Sequence, residues 1–358
     1  MCAVKEFGLK VAWRNYGTVA LRTNYAFRKA RERWTRLSAG QEYAFTFQTQ
    51  SLFDFSLRGV PHFIYTDGTH QSLLAQMRTT GPDDIFRMII NRWRCHGFRG
   101  FDSNGVADIR YQIVLAIIRQ YAKAPGKYRM EKSIFDHAAK IFVRSRDVEQ
   151  GLIAHYACRP DQVVCAFKGS HLDLPVARDA QRYARKNIIF VGLEWERKGG
   201  PDLIKAFREV RKIHPDASLT IIGLHRNEME ENVTMAGRLS LEATGAYYQR
   251  ASVFCMPSRL EPFGNVFIEA MTAGLPIVGT RLGAIPDFVN ENENGYLVEP
   301  GDIHGLAAAL IELMDDPEKC RRFGEKSYQI ARERYTWENT GRIMKNHIEK
   351  VLAAGSVI

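Results

Sequence analysis

Two glutamates that flank a glycine turn are the residues of this sequence best suited to bind a ligand. Glu261 precedes a predicted helix that runs from about Asn265 to Ala273, and Glu269 lies inside that helix. Gly264 occupies the turn before the helix, where a bare backbone lets a ligand approach closely. The unpaired N–H groups of a first helical turn favour an anion or a sugar oxygen. This combination suits a ligand with both hydroxyl and phosphate groups, although two solvated glutamates beside an ordinary helix share the same spacing.

The elements around this loop indicate a parallel sheet. An apolar run at 251–256 predicts a short buried strand that ends at Pro257 and leads into the Glu261 loop. Earlier in the chain, predicted strands at 187–192 and 217–223 enclose a predicted helix at 201–213, which is a βαβ unit. Ligands of such sheets bind at the carboxyl ends of the strands. We therefore expect the 192–200 loop and the Glu261 loop to lie at the same edge.

The run Glu261-Pro-Phe-Gly, followed by Glu269, resembles the Glu-x7-Glu signature of the retaining glycosyltransferases of family 4, bacterial type. The resemblance is strong over residues 187–340 and weak over 45–175. It implies an α/β protein with the GT-B fold, in which two Rossmann-like domains with parallel sheets face a cleft. It also implies a hexosyltransferase-like enzyme of glycan biosynthesis that uses a nucleotide diphosphate sugar as donor substrate.

The resemblance assigns roles to residues of both loops. Glu261 would meet the donor sugar, Glu269 would accept hydrogen bonds from ribose hydroxyls, and Lys198 would neutralise the donor diphosphate. The implied catalytic residues are Glu261, Lys198 and His70. The implied donor-binding residues are Glu269, Arg197, Gly192, Phe263, Gly264, Asn265, Arg238 and Leu239, the last two near the nucleobase.

Three departures from the family pattern favour a second hypothesis. The family's diphosphate loop reads roughly Gly-Arg-x4-Lys-Gly, but here the arginine position is Leu193, and Arg197 is the neighbour of Lys198 that could supply the missing charge. The position of the family's cleft-facing histidine is Gly68, two residues before His70. No apolar strand with a glycine-rich loop precedes Tyr43, so the first domain is either divergent or incomplete at its N-terminus. The alternative is a non-catalytic relative that binds a nucleotide sugar or a partner.

The predicted organisation has two domains. Residues 1–175 would form an acceptor-side Rossmann-like domain, onto which a C-terminal helix at 338–358 crosses back. Residues 176–337 would form the Rossmann-like domain that binds the nucleotide-sugar donor. A length of 358 residues is sufficient for two sizeable cores.

Composition and cysteine spacing exclude several classes of protein. The chain is 45% hydrophobic and 25% charged, as is usual for globular proteins, and has no run of about 20 apolar residues and no secretory signal. Its six cysteines are scattered without a Cys-x2-Cys pair, which indicates neither a zinc site nor a disulfide framework. We expect Cys165 and Cys255 to be small core residues. No Asp-x-Asp motif is present between the domains, so no metal and no cofactor is required.

The formal net charge is +10, and many basic residues are concentrated in the first third of the chain. These residues are Arg22, Arg28, Lys29, Arg31, Arg33, Arg36, Arg87, Arg92, Arg94 and Arg99. Arginine clusters of this kind are typical of surfaces that meet anionic lipid headgroups or an acidic acceptor, and also of plain solvated faces. We expect a cytoplasmic protein, peripheral on the inner membrane face, with a glycan or lipid-linked acceptor. Nucleic-acid binding is not expected because no recognised module occurs, and a flat salt response would exclude it.

Overall fold

A computed structural model describes residues 24–40, 43–49, 56–69, 71–72, 125–172, 174, 179–224 and 230–354. His70 lies outside the described residues. The described chain divides into two compact units. One contains the described residues up to Ala166 together with those from Arg342 onward, and the other runs from Phe167 to Gly341.

The first unit is built on a parallel sheet that, over the described residues, has the strand order β1-β2-β3-β4. Its strands are β1 (Thr46–Thr49), β2 (His62–Thr66), β3 (Lys140–Val143) and β4 (Val163–Cys165). Its helices are α1 (Asn24–Ser38), α2 (Pro125–Asp136) and α3 (Arg146–Tyr156). Helix α3 begins where the Ser145 hydroxyl accepts a hydrogen bond from the Val148 amide, as an N-cap residue does.

Successive side chains of β2 point to opposite faces of this sheet and pack into two different apolar clusters. Ile64 belongs to a core that includes Ile134, Phe135 and Leu152 from α2 and α3. Phe63 and Tyr65 point to the opposite face, as successive residues of a strand do. That face is covered by apolar residues of the C-terminal helix, namely Ile343, Met344, Ile348 and Val351.

The second unit contains six strands and the helices that connect or follow them in the described part of the chain. Its strands are β5 (Asn187–Val191), β6 (Ser218–Ile222), β7 (Val233–Gly237), β8 (Val253–Met256), β9 (Ile277–Thr280) and β10 (Gly295–Val298). Its helices are α4 (Gly200–Ile213), α5 (Leu241–Arg250), α6 (Asn265–Thr272), α7 (Ile303–Asp315) and α8 (Pro317–Arg334). The last helix, α9 (Trp337–Ala353), begins in this unit, and its part from Arg342 onward belongs to the first unit and carries the residues that cover that unit's sheet.

The strand order of the second sheet fixes where a ligand can bind. In the described part of the chain the sheet is parallel, with the order β7-β6-β5-β8-β9-β10. This is the order 3-2-1-4-5-6 of dinucleotide-binding folds, and it reverses direction between β5 and β8. A crevice opens at the carboxyl ends of the two strands beside such a reversal. The loops after β5 and β8 therefore flank the expected ligand position, and the predicted parallel sheet is confirmed.

A fully buried arginine fixes the end of α6. Arg182, in the short 3-10 helix at Ala180–Arg185, donates to the carbonyl oxygens of Ala273 and Gly274 at 2.9 Å each. These carbonyls belong to the turn that ends α6, where helical carbonyls lack partners. A cation at a helix C-terminus also complements the helix dipole. Arg182 therefore stabilises the end of the helix that carries Glu269.

Two predicted boundaries differ from the structure. The alternation of residues 43–47 is typical of a strand, but the strand begins only at Thr46, whose amide donates to the Pro61 carbonyl at 2.9 Å. Along it Phe45 and Phe47 are exposed, whereas Thr46 and Gln48 are buried. Met130, Ile134 and Ala138 have helical spacing, which predicts a helix through Ala138, but the helix ends at Asp136, because the chain turns there and the Ala139 amide donates to the carbonyl of His62 in β2.

Two glycines of the second unit should respond in opposite directions to an added methyl group. Gly341 lies in α9 with nothing within 4 Å of a built Cβ, so Gly341→Ala should raise the free energy of unfolding by up to about 1 kcal/mol. Gly199 has φ 75° at the start of α4, and its Cβ would lie 1.8 Å from the Pro257 carbonyl oxygen. Gly199→Ala should therefore destabilise the protein strongly in urea denaturation. Equal effects of the two substitutions would contradict this packing.

Candidate functional site

The loop after β5 is a compact turn that directs Lys198 inward. The Lys198 amide donates to the Glu194 carbonyl at 2.9 Å, and the Gly200 amide donates to the Trp195 carbonyl at 2.9 Å. Trp195 is buried with its ring 5.4 Å from that of Phe190. These contacts anchor the loop to the strand it follows, so the position of Lys198 is set by backbone bonds and packing.

The loop after β8 is joined directly to the loop after β5. The Arg259 amide donates to the Arg197 carbonyl at 2.9 Å. The Arg259 guanidinium also donates to both oxygens of the buried Asp202 at the start of α4, at 2.7 and 2.9 Å. A two-pronged arginine–carboxylate contact of this kind fixes geometry as well as adding energy. The two loops that flank the strand reversal therefore form one connected structure.

A buried ion pair lies at this junction. The Lys198 ammonium donates to Oε2 of Glu261, and the side chains of both residues are almost fully buried. The same carboxylate oxygen is 3.6 Å from the Arg197 guanidinium and 3.4 Å from the Ser258 hydroxyl. The structure therefore brings together two residues from opposite sides of the strand reversal, 63 positions apart in the chain.

Electrostatics at the pair favours the ionised form of Glu261. Burial by itself raises the pKa of Glu261, but the positive charges of Lys198 and Arg197 outweigh burial and the net shift is downward. Burial lowers the pKa of Lys198, with Arg197 acting in the same direction and Glu261 opposing. Glu261 therefore remains a carboxylate with two cations beside it.

Arg197 is held by groups of both loops. Its Nε and terminal nitrogen contact Glu194 Oε2 at 2.7 and 2.6 Å, and its other terminal nitrogen donates to the Leu260 carbonyl at 2.7 Å. Arg197 thus braces the junction and adds positive charge next to Lys198. Leu193, in the same loop, is 47% exposed and contributes no charge.

Helix α6 presents the second glutamate of the motif. The helix begins after Gly264, whose φ of 94° is in the left-handed region that favours glycine. Glu269 is a buried residue of this helix, and the Tyr248 hydroxyl donates to its Oε2 at 3.2 Å. Burial raises the pKa of Glu269, and the Tyr248 hydroxyl together with the charges of Lys168 and Lys198 only partly opposes that shift. Glu269 therefore lies within electrostatic reach of Lys198.

The other predicted site residues lie near the same edge or outside the described structure. The Phe263 amide donates to Glu261, and Asn265 is the first residue of α6. The Gly192 amide at the end of β5 donates to the Ile222 carbonyl at 2.9 Å, so it is used within the sheet. Arg238 and Leu239 directly follow β7, the edge strand on the β5–β6 side. His70 lies outside the described residues, and its role stays a prediction.

Sequence reasoning missed Lys168 as a site residue. Its side chain is almost fully buried, and its ammonium donates to Asn265 Oδ1 at 2.6 Å. Lys168 and Asn265 are 97 positions apart, so no local pattern connects them. The available signal was a lysine directly after the buried run 163–167, in a loop at a strand's carboxyl end.

Within the described ranges, no group of three or more His, Cys, Asp or Glu side chains is arranged to hold a metal ion. None of the helices in those ranges combines the length and the apolar character needed to cross a membrane. Cys255 is buried, as predicted, whereas Cys165 is only half-buried.

Fold and site together define a class of protein. Two parallel α/β sheets, the second with the strand order of dinucleotide-binding folds, are combined with charged and buried groups at the strand reversal. Residues 179–330 match the family "Glycosyl transferases group 1". The resemblance seen in the sequence is thereby confirmed.

Proteins of similar sequence agree with this family match. The D-inositol 3-phosphate glycosyltransferase of Corynebacterium kroppenstedtii is 26% identical over 277 residues, covering 67% of this chain and 61% of that protein. The glycogen synthase of Mycobacterium tuberculosis is 31% identical over 176 residues, covering 46% of this chain and 42% of that protein. The chain therefore spans about three fifths or less of the length of these relatives.

Solved structures show the same fold. Sucrose-phosphate synthase from Thermosynechococcus elongatus has a TM-score of 0.63 at 20% identity, covering 92% of this chain and 79% of that one. HepE from Anabaena, solved with UDP, has a TM-score of 0.53 at 16% identity, covering 82% of this chain and 86% of that one. These likenesses confirm the predicted α/β GT-B fold class. The predicted cleft between the two sheets and the domain boundary at 175 stay predictions.

The buried pair should show strong coupling in a double-mutant cycle. Glu261→Gln leaves the buried Lys198 ammonium without its carboxylate and should cost about 3–5 kcal/mol of unfolding free energy. Adding Lys198→Met should recover most of that loss, since no uncompensated charge remains. Urea denaturation of the four proteins measures the coupling.

The exposed pair Lys132–Asp136 on α2 is the control for this cycle. Its atoms lie 2.7 Å apart with both side chains partly in solvent, so Lys132→Met and Asp136→Asn should couple by less than about 1 kcal/mol. Equal coupling at the two pairs would contradict the burial and pairing of Lys198 and Glu261.

Glu269 should lower the stability of the folded protein at neutral pH. A carboxyl group whose pKa is raised by folding from its ordinary value of 4.5 destabilises the folded state once it ionises. Glu269→Gln should therefore raise the Tm at neutral pH, and the gain should vanish as the pH falls below the ordinary value. The control is Glu312→Gln, at a partly exposed carboxyl whose pKa is lowered by Lys319, where no gain is expected. A pH-independent gain would refute this assignment for Glu269.

Proposed function

We propose that this protein is a retaining glycosyltransferase that moves a sugar from a nucleotide diphosphate sugar to a hydroxyl of a glycan, lipid or small-molecule acceptor. The observation that carries the proposal is the junction of the two loops at the strand reversal. There Lys198 and Glu261 form one buried pair beside Arg197, and the charge of Lys198 also acts to lower the pKa of Glu269. The names of the relatives, which are glycosyltransferases and a glycogen synthase, support the same reaction class.

The charges of the junction suit a departing diphosphate. When the bond from the anomeric carbon to the phosphate oxygen breaks, the electron pair stays on the phosphate. Lys198 and Arg197 would stabilise that charge in a site where little water competes. Preorganised groups of this kind are typically worth about 3–4 kcal/mol in a transition state. The proposed role of Lys198 is therefore to hold the diphosphate and to favour its departure.

The two glutamates have different proposed roles because their surroundings differ. Glu261 is an ionised acceptor between two cations, suited to hydroxyl groups of the donor sugar. The effect of burial on Glu269 is only partly offset by nearby positive charges, and the Tyr248 hydroxyl donates to its carboxyl. We therefore assign Glu269 to the ribose hydroxyls of the donor. The N–H group of Gly264 is proposed to face the sugar or diphosphate, whereas the N–H group of Phe263 donates to Glu261 and orients it. The acceptor would be bound by the first unit, where His70 is the proposed contact, and would attack on the face that the phosphate leaves.

No metal or cofactor is part of this proposal, in which Lys198 and Arg197 interact with the charge on the diphosphate. A cytoplasmic location on the inner membrane face is proposed from the basic helix α1, whose described side chains include Arg31, Arg33 and Arg36. Such a face would attract anionic lipid in a salt-dependent manner, which suits a lipid-linked acceptor. Nucleic acid is not a proposed partner.

The alternative is a non-catalytic relative that binds a nucleotide sugar or a partner. Leu193 favours it, since an exposed leucine at the family's arginine position carries no charge and leaves only Arg197 to assist Lys198 at a leaving diphosphate. The intact Lys198–Glu261 pair and the buried Glu269 favour catalysis. The two hypotheses differ in turnover and share donor binding, so they require separate measurements.

A donor screen followed by a transfer assay tests the proposed function. The full chain is first screened by thermal shift against UDP-, GDP- and ADP-sugars, and a tight ligand in large excess should add about 3–4 kcal/mol of stability. The donor that binds is then supplied radiolabelled with a lipid and glycan extract. We expect label to move into an acceptor, with Glu269→Gln reducing transfer at least about tenfold despite its higher Tm.

The possible outcomes of that assay discriminate between the two hypotheses. Donor binding with neither transfer nor hydrolysis would favour the non-catalytic relative. Full transfer by Glu269→Gln would remove Glu269 from the site but leave the reaction class intact. Binding of none of the three donor classes would refute the nucleotide-sugar assignment altogether.

A further inference from the structure

Exposed apolar side chains are concentrated in one short stretch of the first unit. Eight large hydrophobic side chains are exposed in the described part of the chain, and four of them lie between positions 37 and 47. Leu37 is 64% exposed, and Tyr43, Phe45 and Phe47 are 38–41% exposed. Single apolar residues are common on protein surfaces, whereas neighbouring ones indicate a surface that binds a partner or a membrane. We call these four residues the apolar patch.

The phenylalanines of the patch extend an apolar face of the first sheet. Phe47 pairs with Phe63 of β2, and the rings of Phe45 and Phe63 meet edge to face with their centres 5.7 Å apart. Phe45 and Phe47 therefore lie on the same sheet face as Phe63, which apolar residues of α9 cover. β1 is the last strand on its side of the described sheet, and there the two rings stay exposed. An exposed apolar edge strand favours association unless something covers it.

The end of α1 belongs to the same surface. The ring centre of Tyr43 lies 6.2 Å from that of Trp34 in α1. Leu37 follows Trp34 by three positions, which places the two residues on one side of the helix. The apolar patch therefore joins the end of a helix to the edge of a sheet.

Positive charge lies beside the patch. Arg33 and Arg36 are exposed on the last turns of α1, and the described residues provide no carboxylate partner for either guanidinium. The sequence of α1 contains five basic residues and one acidic residue, so the helix has a strongly positive net charge. Lys350 is also exposed, on the helix that covers the same sheet face as Phe45 and Phe47. The patch is therefore bordered by cations.

This charge pattern favours a membrane over a second copy of the chain. In a twofold dimer the same patch meets itself, so Arg33 and Arg36 of the two copies would approach one another and repel. An anionic bilayer instead provides negative headgroups for the arginines and an apolar layer for the side chains beside them. Aromatic side chains are favoured at the boundary between headgroups and acyl chains. Charge and apolar content therefore fit the same lipid surface.

We propose that the apolar patch inserts into the headgroup–acyl boundary of an anionic membrane, with Arg33 and Arg36 contacting lipid phosphates. The inference rests on the membrane location proposed above, to which it adds the binding surface and an apolar contribution, and it is independent of the proposed reaction. Electrostatic attraction to a membrane is screened by salt, whereas apolar insertion persists at high salt. The two contributions can therefore be measured separately.

Binding to vesicles tests both contributions. The full chain is sedimented with vesicles of phosphatidylcholine alone and of an equal mixture with phosphatidylglycerol, at low and at high salt. We expect binding to the anionic vesicles, part of which persists at high salt. Replacing Phe45 and Phe47 by serine (F45S/F47S) should lower the partition coefficient about tenfold or more and remove the salt-resistant part. Replacing Arg33 and Arg36 by glutamine (R33Q/R36Q) should lower it comparably, but only at low salt.

Two double variants of the second unit are the matched controls. Ile213→Ser with Leu241→Ser removes two apolar side chains that are 58% and 45% exposed. Arg250→Gln with Arg322→Gln removes two exposed positive charges. Neither control should change vesicle binding, and Tm measurements on all four double variants check that each is folded.

Several results would overturn the inference. Salt-resistant binding that is unchanged in F45S/F47S would refute insertion of the patch and leave the proposed location intact. Equal losses in the control variants would refute a localised surface, and binding of the wild type to neither vesicle would refute both the inference and the location. A dimer that F45S/F47S abolishes, without vesicle binding by the wild type, would assign the patch to a second copy. Failure of the proposed reaction would leave the inference standing, because vesicle binding requires no turnover.

Discussion

The buried pair between Lys198 and Glu261 is the interaction on which the rest of the site depends. It joins the loop after β5 to the loop after β8, the two strands between which the sheet reverses direction. A buried pair of this kind contributes little net stability, because desolvation of both charges offsets their attraction. Its value is geometric. With the Arg259–Asp202 contact and the Arg259–Arg197 backbone bond, it holds two distant segments of chain in one arrangement.

Groups near that pair are arranged in a way that favours ligand binding at a cost in the stability of the free protein. Burial raises the pKa of Glu269, so its ionised carboxyl is unfavourable in the folded chain alone. Together with the positive charges of Lys198 and Arg197, this carboxyl suits a ligand that carries both anionic and hydroxyl groups. A nucleotide diphosphate sugar carries both, which is why the electrostatics and the family match of residues 179–330 support the same proposal.

The sequence predicted those parts of this arrangement that depend on local patterns. The apolar runs predicted as strands at 187–192 and 251–256 form the strands Asn187–Val191 and Val253–Met256, because strands buried on both faces need continuous apolar residues. The Glu-x7-Glu run identified the family. Strand order was not predictable, since it depends on long-range pairing. For the same reason, the contact between Lys168 and Asn265 and the clamp of Arg182 on Ala273 and Gly274 emerged only from the structure.

The central claim is that both loops at the strand reversal bind one donor, and hydrogen exchange tests it most directly. Amide exchange would be followed in the full chain with and without saturating UDP, GDP or ADP. We predict that the nucleotide that binds slows exchange in residues 193–199 and 258–266 together, while the loop 290–294 at the opposite, amino-terminal side of β10 is unchanged. Protection of only one of the two loops, or of neither when binding is independently observed, would contradict a shared site built on Lys198 and Glu261.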